Sequence, residues 1–153
     1  MGTSRNAGLV ELQVQGTDST STVGFTKIAD VMDINGPGFK RETAEVTDRD
    51  SDQWKEFIST LKEIGEVTFD LNLDLEEATH GNIATAGGVG VFSHDGLYKM
   101  LDDGNSHVFK LDFPGASDIQ FSALVIGYAI SAPYQSSLAS SITLKGTGAP
   151  TVT

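Results

Sequence analysis

Apolar and polar residues alternate most strictly over residues 66–75, where Val67, Phe69, Leu71, Leu73 and Leu75 fall on one side and Glu66, Thr68, Asp70, Asn72 and Asp74 on the other. A period of two marks a half-buried strand, because successive side chains leave a pleated backbone on opposite faces. The same alternation over residues 9–15 puts Val10, Leu12 and Val14 on one face of a first strand, and a polar run over residues 16–22 supplies a turn. Residues 25–34 predict a second strand with Ile28, Met32 and Ile34 aligned and Asp30 out of pattern, ended by Gly36-Pro37-Gly38. A third, polar strand follows over residues 39–47.

The period then changes. Trp54, Phe57, Ile58, Leu61 and Ile64 are spaced as one stripe of a helix over residues 51–64, with Asp50, Ser51 and Asp52 as N-cap oxygens and Gly65 as a left-handed C-cap. Trp54, Phe57 and Ile58 admit two readings: they close one end of the core, or they anchor a neighbouring subunit, where tryptophan is over-represented. A small, Gly-rich stretch over residues 80–95 reads as a loop or irregular strand. Residues 95–101 predict a short helix capped by Asp95 and closed at Gly104. Residues 106–113 and 118–130 predict two strands about a Pro114-Gly115 turn. The second of these, apolar on both faces from Leu124 to Ile130, is expected to be central and buried. A last strand covers residues 137–146. The pattern is that of an all-β domain, sandwich or barrel-like, with one packed α-helix and a second short helix or ordered loop.

Length and composition keep this picture to one soluble domain over residues 1–153, with flexible arms expected at residues 1–8 and 146–153. The absence of cysteine excludes disulfides, thiolate catalysis and Cys-based zinc sites. The first residues lack the apolar run of a signal peptide, and no segment approaches the ~20 apolar residues that span a bilayer, so a cytoplasmic origin is expected. The formal net charge is −11, and residues 41–77 carry twelve acids against four bases. Proteins that grip nucleic acid do so with Lys and Arg, which displace the counterions of the phosphates. This balance disfavours tight DNA or RNA binding. It is compatible with simple solubility, and with a surface over which DNA slides without sticking.

Chemistry is sparse. Asp48-Arg49-Asp50-Ser51-Asp52 opens like a calcium loop, but Gln53 stands where the sharp-turn glycine belongs and Ser59 where a bidentate glutamate is needed. N-capping and salt bridging between subunits describe that run better. His80, His94 and His107 lack any i, i+4 spacing and read as surface or turn histidines. Gly87-Gly88-Val89-Gly90 matches no phosphate-binding loop, and no serine sits in a G-x-S-x-G elbow. Acids such as Asp70 and Asp74 lie on the polar face of a strand, where solvation accounts for them. No catalytic residue, metal site or cofactor is expected.

Taken in order, Gly36-Pro37-Gly38, Thr43-Ala44-Glu45-Val46-Thr47, the Ser/Asp run over residues 48–52, Trp54-Lys55-Glu56-Phe57-Ile58 and Gly65-Glu66 resemble the tail tube protein (major tail protein) family of long-tailed bacteriophages. The short helix after the alternating strand, and the ending through Gly127-Tyr128, Ser131-Ala132-Pro133 and residues 142–146, resemble that family too. The resemblance implies a non-enzymatic virion protein, assembled in the host cytoplasm into hexameric rings that stack into a tube for double-stranded DNA. Its implied partners are further copies of itself and tape-measure, tail-tip and tail-terminator proteins, with no membrane. Asp48, Arg49, Asp50, Trp54, Lys55 and Phe57 are then candidates for contact between subunits, and Glu66, Asp70 and Asp74 for an acidic lumen. The alternatives are another tube-like virion or secretion component, such as a tail terminator or secretion-tube ring, and a stand-alone β-sandwich binding module.

Overall fold

The computed structural model describes residues 10–48, 50, 54–77, 79–81 and 92–152. Its elements in chain order are β1 (Glu11–Thr17), β2 (Val23–Lys27), β3 (Val31–Asn35), β4 (Lys40–Glu45), β5 (Phe57–Glu63), β6 (Glu66–Asn72), α1 (Leu97–Asp103), β7 (His107–Asp112), β8 (Ile119–Ser131) and β9 (Ala139–Val152). Seven strands form one antiparallel sheet in the order β2-β1-β7-β8-β9-β6-β3, and β4 and β5 form a separate hairpin.

The two edge strands of the sheet, β2 and β3, are neighbours in the chain. Only Ile28, Ala29 and Asp30 separate them, and four residue steps span at most about 14 Å. The sheet must therefore curl until its edges nearly meet. Asp30, the residue that broke the pattern of the expected second strand, is the turn: it adopts φ 55°, a left-handed conformation that Asp tolerates better than most residues. One strand over residues 25–34 is thus two strands with a corner between them. Backbone bonds tie the corner to both sides, from Ile28 N–H to the Leu12 carbonyl (2.9 Å) and from Asn72 N–H to the Asp30 carbonyl (3.1 Å).

The concave face holds the core. Leu12 and Val14 of β1 stand opposite Leu111 and Phe109 of β7, Phe109 stands opposite Phe121 of β8 with rings 6.1 Å apart, and Val67 and Phe69 of β6 face Leu144 and Ile142 of β9. All of these side chains are buried, and Leu97 and Met100 of α1 complete the cluster. The helix begins at Gly96 with no side-chain cap, so Asp95 is not the cap its position suggested; it pairs with Lys99 instead (3.2 Å). Gly104 closes the helix in the left-handed conformation, as its place in the sequence implied.

β8 is central in the sheet but is not buried on both faces. A bulge between Val125 and Gly127 inserts one residue, so that Tyr128 opposes the buried Ile142 and joins the face of Val125, while Ile126 stays half exposed. The apparently two-sided apolar run is one face interrupted by a change of parity.

His80 lies in a turn, as one of the two expected readings had it, but both it and His94 are buried and not on the surface. His80 accepts a hydrogen bond at Nδ1 from Asp74 N–H (3.2 Å), and its Nε2 lies 2.6 Å from the Ala29 carbonyl, so the proton sits on Nε2. Its role is to brace the β2–β3 corner. His107 is half-buried, and burial lowers its pKa below the ordinary value. Residues 146–152, expected as a flexible arm, continue β9 beside β8, with Thr147 opposite Ser122 and Val152 opposite Ile119. The expected N-terminal arm, residues 1–8, lies outside the described residues, as does most of the Gly-rich stretch.

Candidate functional site

The β4–β5 hairpin is where the sequence expectation and the structure diverge most. Residues 57–63 form a strand, not a helix, and every residue of β4 and β5 is exposed. The pairing is Lys40 with Glu63, Arg41 with Lys62, Thr43 with Ser59, Ala44 with Ile58 and Glu45 with Phe57. Between Arg41 and Thr43 the register shifts, with three steps on β5 for two on β4. The extra residue places Ile58 and Leu61, three apart, on one side. That is how a strand acquires helical spacing.

The hairpin continues beyond its strands. Val46 N–H bonds the Glu56 carbonyl and Glu56 N–H bonds Thr47 Oγ1, both at 2.9 Å. Asp48 Oδ1 accepts from Asp50 N–H (2.9 Å), so this Asp caps a turn at the tip of the hairpin and not a helix. At the other end Ile64 is buried in the core, and Gly146 N–H bonds the Gly65 carbonyl (2.9 Å). A Cβ on Gly146 would lie 2.6 Å from that of Ile64, so the close approach of β9 to the hairpin base requires glycine there.

Large apolar side chains crowd this appendage. Trp54 is 77% exposed, Leu61 76% and Phe57 57%, with Phe39, Val46 and Ile58 also open to solvent. An isolated two-stranded hairpin is marginal in water, and soluble monomers seldom present such a patch without a partner for it. Of the two readings of Trp54, Phe57 and Ile58, closure of this chain's own core is therefore excluded. Asp48, Asp50, Trp54, Lys55 and Phe57 share the outer half of the hairpin; Arg49 lies outside the described residues.

The acidic candidates divide. Glu66 and Asp70 share the convex face of β6, opposite Lys145 and Ser141 of β9. That face continues through the polar Thr68, Thr143 and Ser122, and on β8 it also carries the apolar Leu124, opposite Lys145, and the half-exposed Ile126. Asp74 lies beyond the strand, in a turn where its Oδ1 accepts from Glu76 N–H (3.0 Å). Sequence reasoning missed the cations. Lys40, Arg41 and Lys62 meet at the hairpin base, and Lys145 lies near Glu63 on β9, an arrangement only the pairing of distant strands creates. Lys40 bonds Glu63 at 2.8 Å, which raises the Lys40 pKa and lowers that of Glu63. Among the described residues no group of three His, Cys, Asp or Glu side chains could hold a metal, and no helix is long and apolar enough to cross a membrane.

A curled antiparallel sheet with one inner helix and a bare, sticky hairpin is the frame of a subunit that binds others. The sequence model of the lambda phage tail tube protein (TTP) family matches residues 13–153. The chain belongs to that family. It is a structural tail tube protein, and its tail tube fold recurs in solved virion structures. The chain is similar to a protein in the tail of an empty gene transfer agent particle refined with C6 symmetry, with a TM-score of 0.71, 15% identity, and 98% of this chain and 99% of that one covered. It is similar also to a protein of the native gene transfer agent virion (TM-score 0.68, 14% identity, 98% and 99% covered). A third likeness is to the SPP1 tail tube (TM-score 0.59, 10% identity, 95% of this chain and 77% of that one). No protein with a curated description matches the sequence.

Proposed function

We propose that six copies of this chain close into a ring, that rings stack into a hollow tube in the virion tail, and that double-stranded DNA passes through the tube at ejection. The observation that carries this reading is the β4–β5 hairpin, whose large apolar residues are exposed among the described residues, in a member of the tail tube family. The C6 symmetry of the gene transfer agent tail supports the count of six. In this reading Asp48, Arg49, Asp50, Trp54, Lys55 and Phe57 meet a neighbouring subunit. Contacts that do not pair a surface with itself close into rings when the rotation allows and otherwise extend as filaments. Tape-measure, tail-tip and tail-terminator proteins would then meet the finished or growing ends, in the host cytoplasm, and no catalysis is assigned.

Sedimentation and negative-stain electron microscopy across a wide range of concentration test the proposal. Rings and tubes are expected; a strictly monomeric species at high concentration and every salt condition would overturn it.

The convex face of Glu66 and Asp70 is the candidate bore. Thr68, Ser122, Ser141 and Thr143 make it polar around the apolar Leu124 and Ile126, Lys145 offsets one carboxylate, and the −11 charge of each chain is repeated round the ring. Over a Debye length of about 8 Å at physiological salt, that field keeps phosphates from docking. Fluorescence anisotropy with labelled duplex DNA is expected to show no saturable binding. Micromolar affinity that weakens steeply with salt would sink the lubricated bore even if tubes form.

A further inference from the structure

Charge is unevenly placed along the β4–β5 hairpin. Its base, residues 40–42 and 62–63, carries Lys40, Arg41 and Lys62 with Glu42 and Glu63, a net charge of +1, whereas residues 45–56 hold five acids and two bases, a net charge of −3. Arg41 and Lys62 stand directly opposite each other, and neither makes an ion pair among the described residues. Like charges across a strand pair are destabilising, and an arriving carboxylate would relieve them. These cations, with Glu63 paired to Lys40 and with Arg41 and Lys62 left in excess, line a cleft of about 870 Å³ between the hairpin base and the end of β9, where Phe39, Ile64 and Pro150 supply apolar surface.

The tip of the hairpin is the complement of this cleft. Glu45, Asp48, Asp50 and Glu56 lie in the same outer segment of the hairpin as the exposed Trp54, so the tip carries an aromatic ring and several carboxylates. It cannot reach its own cleft, because β4 is extended and the five steps from Lys40 to Glu45 set the two ends roughly 17 Å apart. The occupant has to come from another molecule.

We infer that the cleft at the hairpin base is a socket for the acidic, Trp54-bearing hairpin tip of a second copy of this chain. The inference rests on the tube reading for the geometry of stacking and goes beyond it in naming both halves of the joint. Each copy offers a plug at one end of its hairpin and a socket at the other, so the contact is head to tail and leaves a free plug and a free socket at opposite ends of any stack. An assembly of this kind grows without limit until another protein occupies the terminal socket or plug.

Charge exchange in the full chain tests it. Arg41→Glu with Lys62→Glu reverses the socket, and Asp48→Lys with Asp50→Lys reverses the plug. All four positions are exposed, so the circular dichroism melt of the socket variant is expected to match that of the parent, and that of the plug variant to fall slightly with loss of the Asp48 turn cap. Either reversed variant alone is expected to need a protein concentration at least about tenfold higher than the parent to assemble, because like charges then meet. An equimolar mixture of the two variants, and a chain carrying all four substitutions, are expected to assemble within about threefold of the parent. If tubes form and neither reversal affects them, the socket is refuted and the tube reading stands. If charge-dependent association yields only open oligomers and never rings, the socket stands and the tube reading fails. A chain that stays monomeric at low salt refutes both. A socket reversal that abolishes salt-dependent DNA binding and leaves assembly unchanged would make the cleft a phosphate site and refute the proposal.

Discussion

Replacing Trp54 and Phe57 together by alanine is expected to leave the folded domain intact and to raise the concentration needed for assembly by about 100-fold or more. Both side chains are mostly solvent-exposed in the single chain, at 77% and 57%, so their truncation removes no core packing. Surface substitutions of this kind usually alter stability by only about 0.5 kcal/mol. Seated in a neighbour, a tryptophan and a phenylalanine are typical hot-spot residues, each commonly costing about 2 kcal/mol or more when cut to alanine. Such costs are not additive, but a joint loss of about 2.7 kcal/mol already corresponds to about 100-fold. Sedimentation velocity and electron microscopy read the effect, with a thermal melt to establish folding. A folded double variant that assembles at the parent's concentration would place the outer hairpin in solvent and remove it from the contact.

Phe109→Ala is expected to act in the opposite way, through the fold and not through assembly. Phe109 is fully buried, stacks on Phe121 across the β7–β8 pair, and faces Val14 of β1. Truncation opens a cavity between strands that cannot collapse without breaking their register, and such changes cost about 3–5 kcal/mol. For a domain stabilised by about 5–15 kcal/mol, that is a large part of the total, and a fall in Tm of roughly 10–20 °C follows. Ile126→Ala serves as the control, since Ile126 sits on the β8 bulge half exposed and is expected to lose less than about 1 kcal/mol. Urea titration compares the two. Equal, small effects would show that the concave face is not the cooperative core.

The strands that are easiest to read are those whose two faces meet different surroundings within the same chain. β6 and β1 alternate strictly because one face meets this chain's own core and the other meets solvent, so the period of two survives in the sequence. The hairpin obeys no such rule. Its apolar residues are not selected by the chain's own core, and the register shift in β5 spaces Ile58 and Leu61 by three, which imitates a helix. The order of local segments over residues 36–66 nevertheless carried the family resemblance, because turns, caps and short blocks are written in consecutive residues.

By itself the sequence determined an all-β chain, the short helix closed at Gly104, an acidic composition, no cysteine chemistry and the mark of a tail tube protein, since each of these depends on composition or on neighbours along the chain. It also read as a helix over residues 51–64, where residues 57–63 form a strand. Only the tertiary structure decided where the sheet closes, through a left-handed Asp30 between its two edges. It alone placed Glu66 and Asp70 on a convex face without Asp74. It alone set Arg41 against Lys62 beside β9. These outcomes arise from pairing between strands far apart in the chain, where one residue's shift in register changes which side chains meet, and no local pattern encodes that choice.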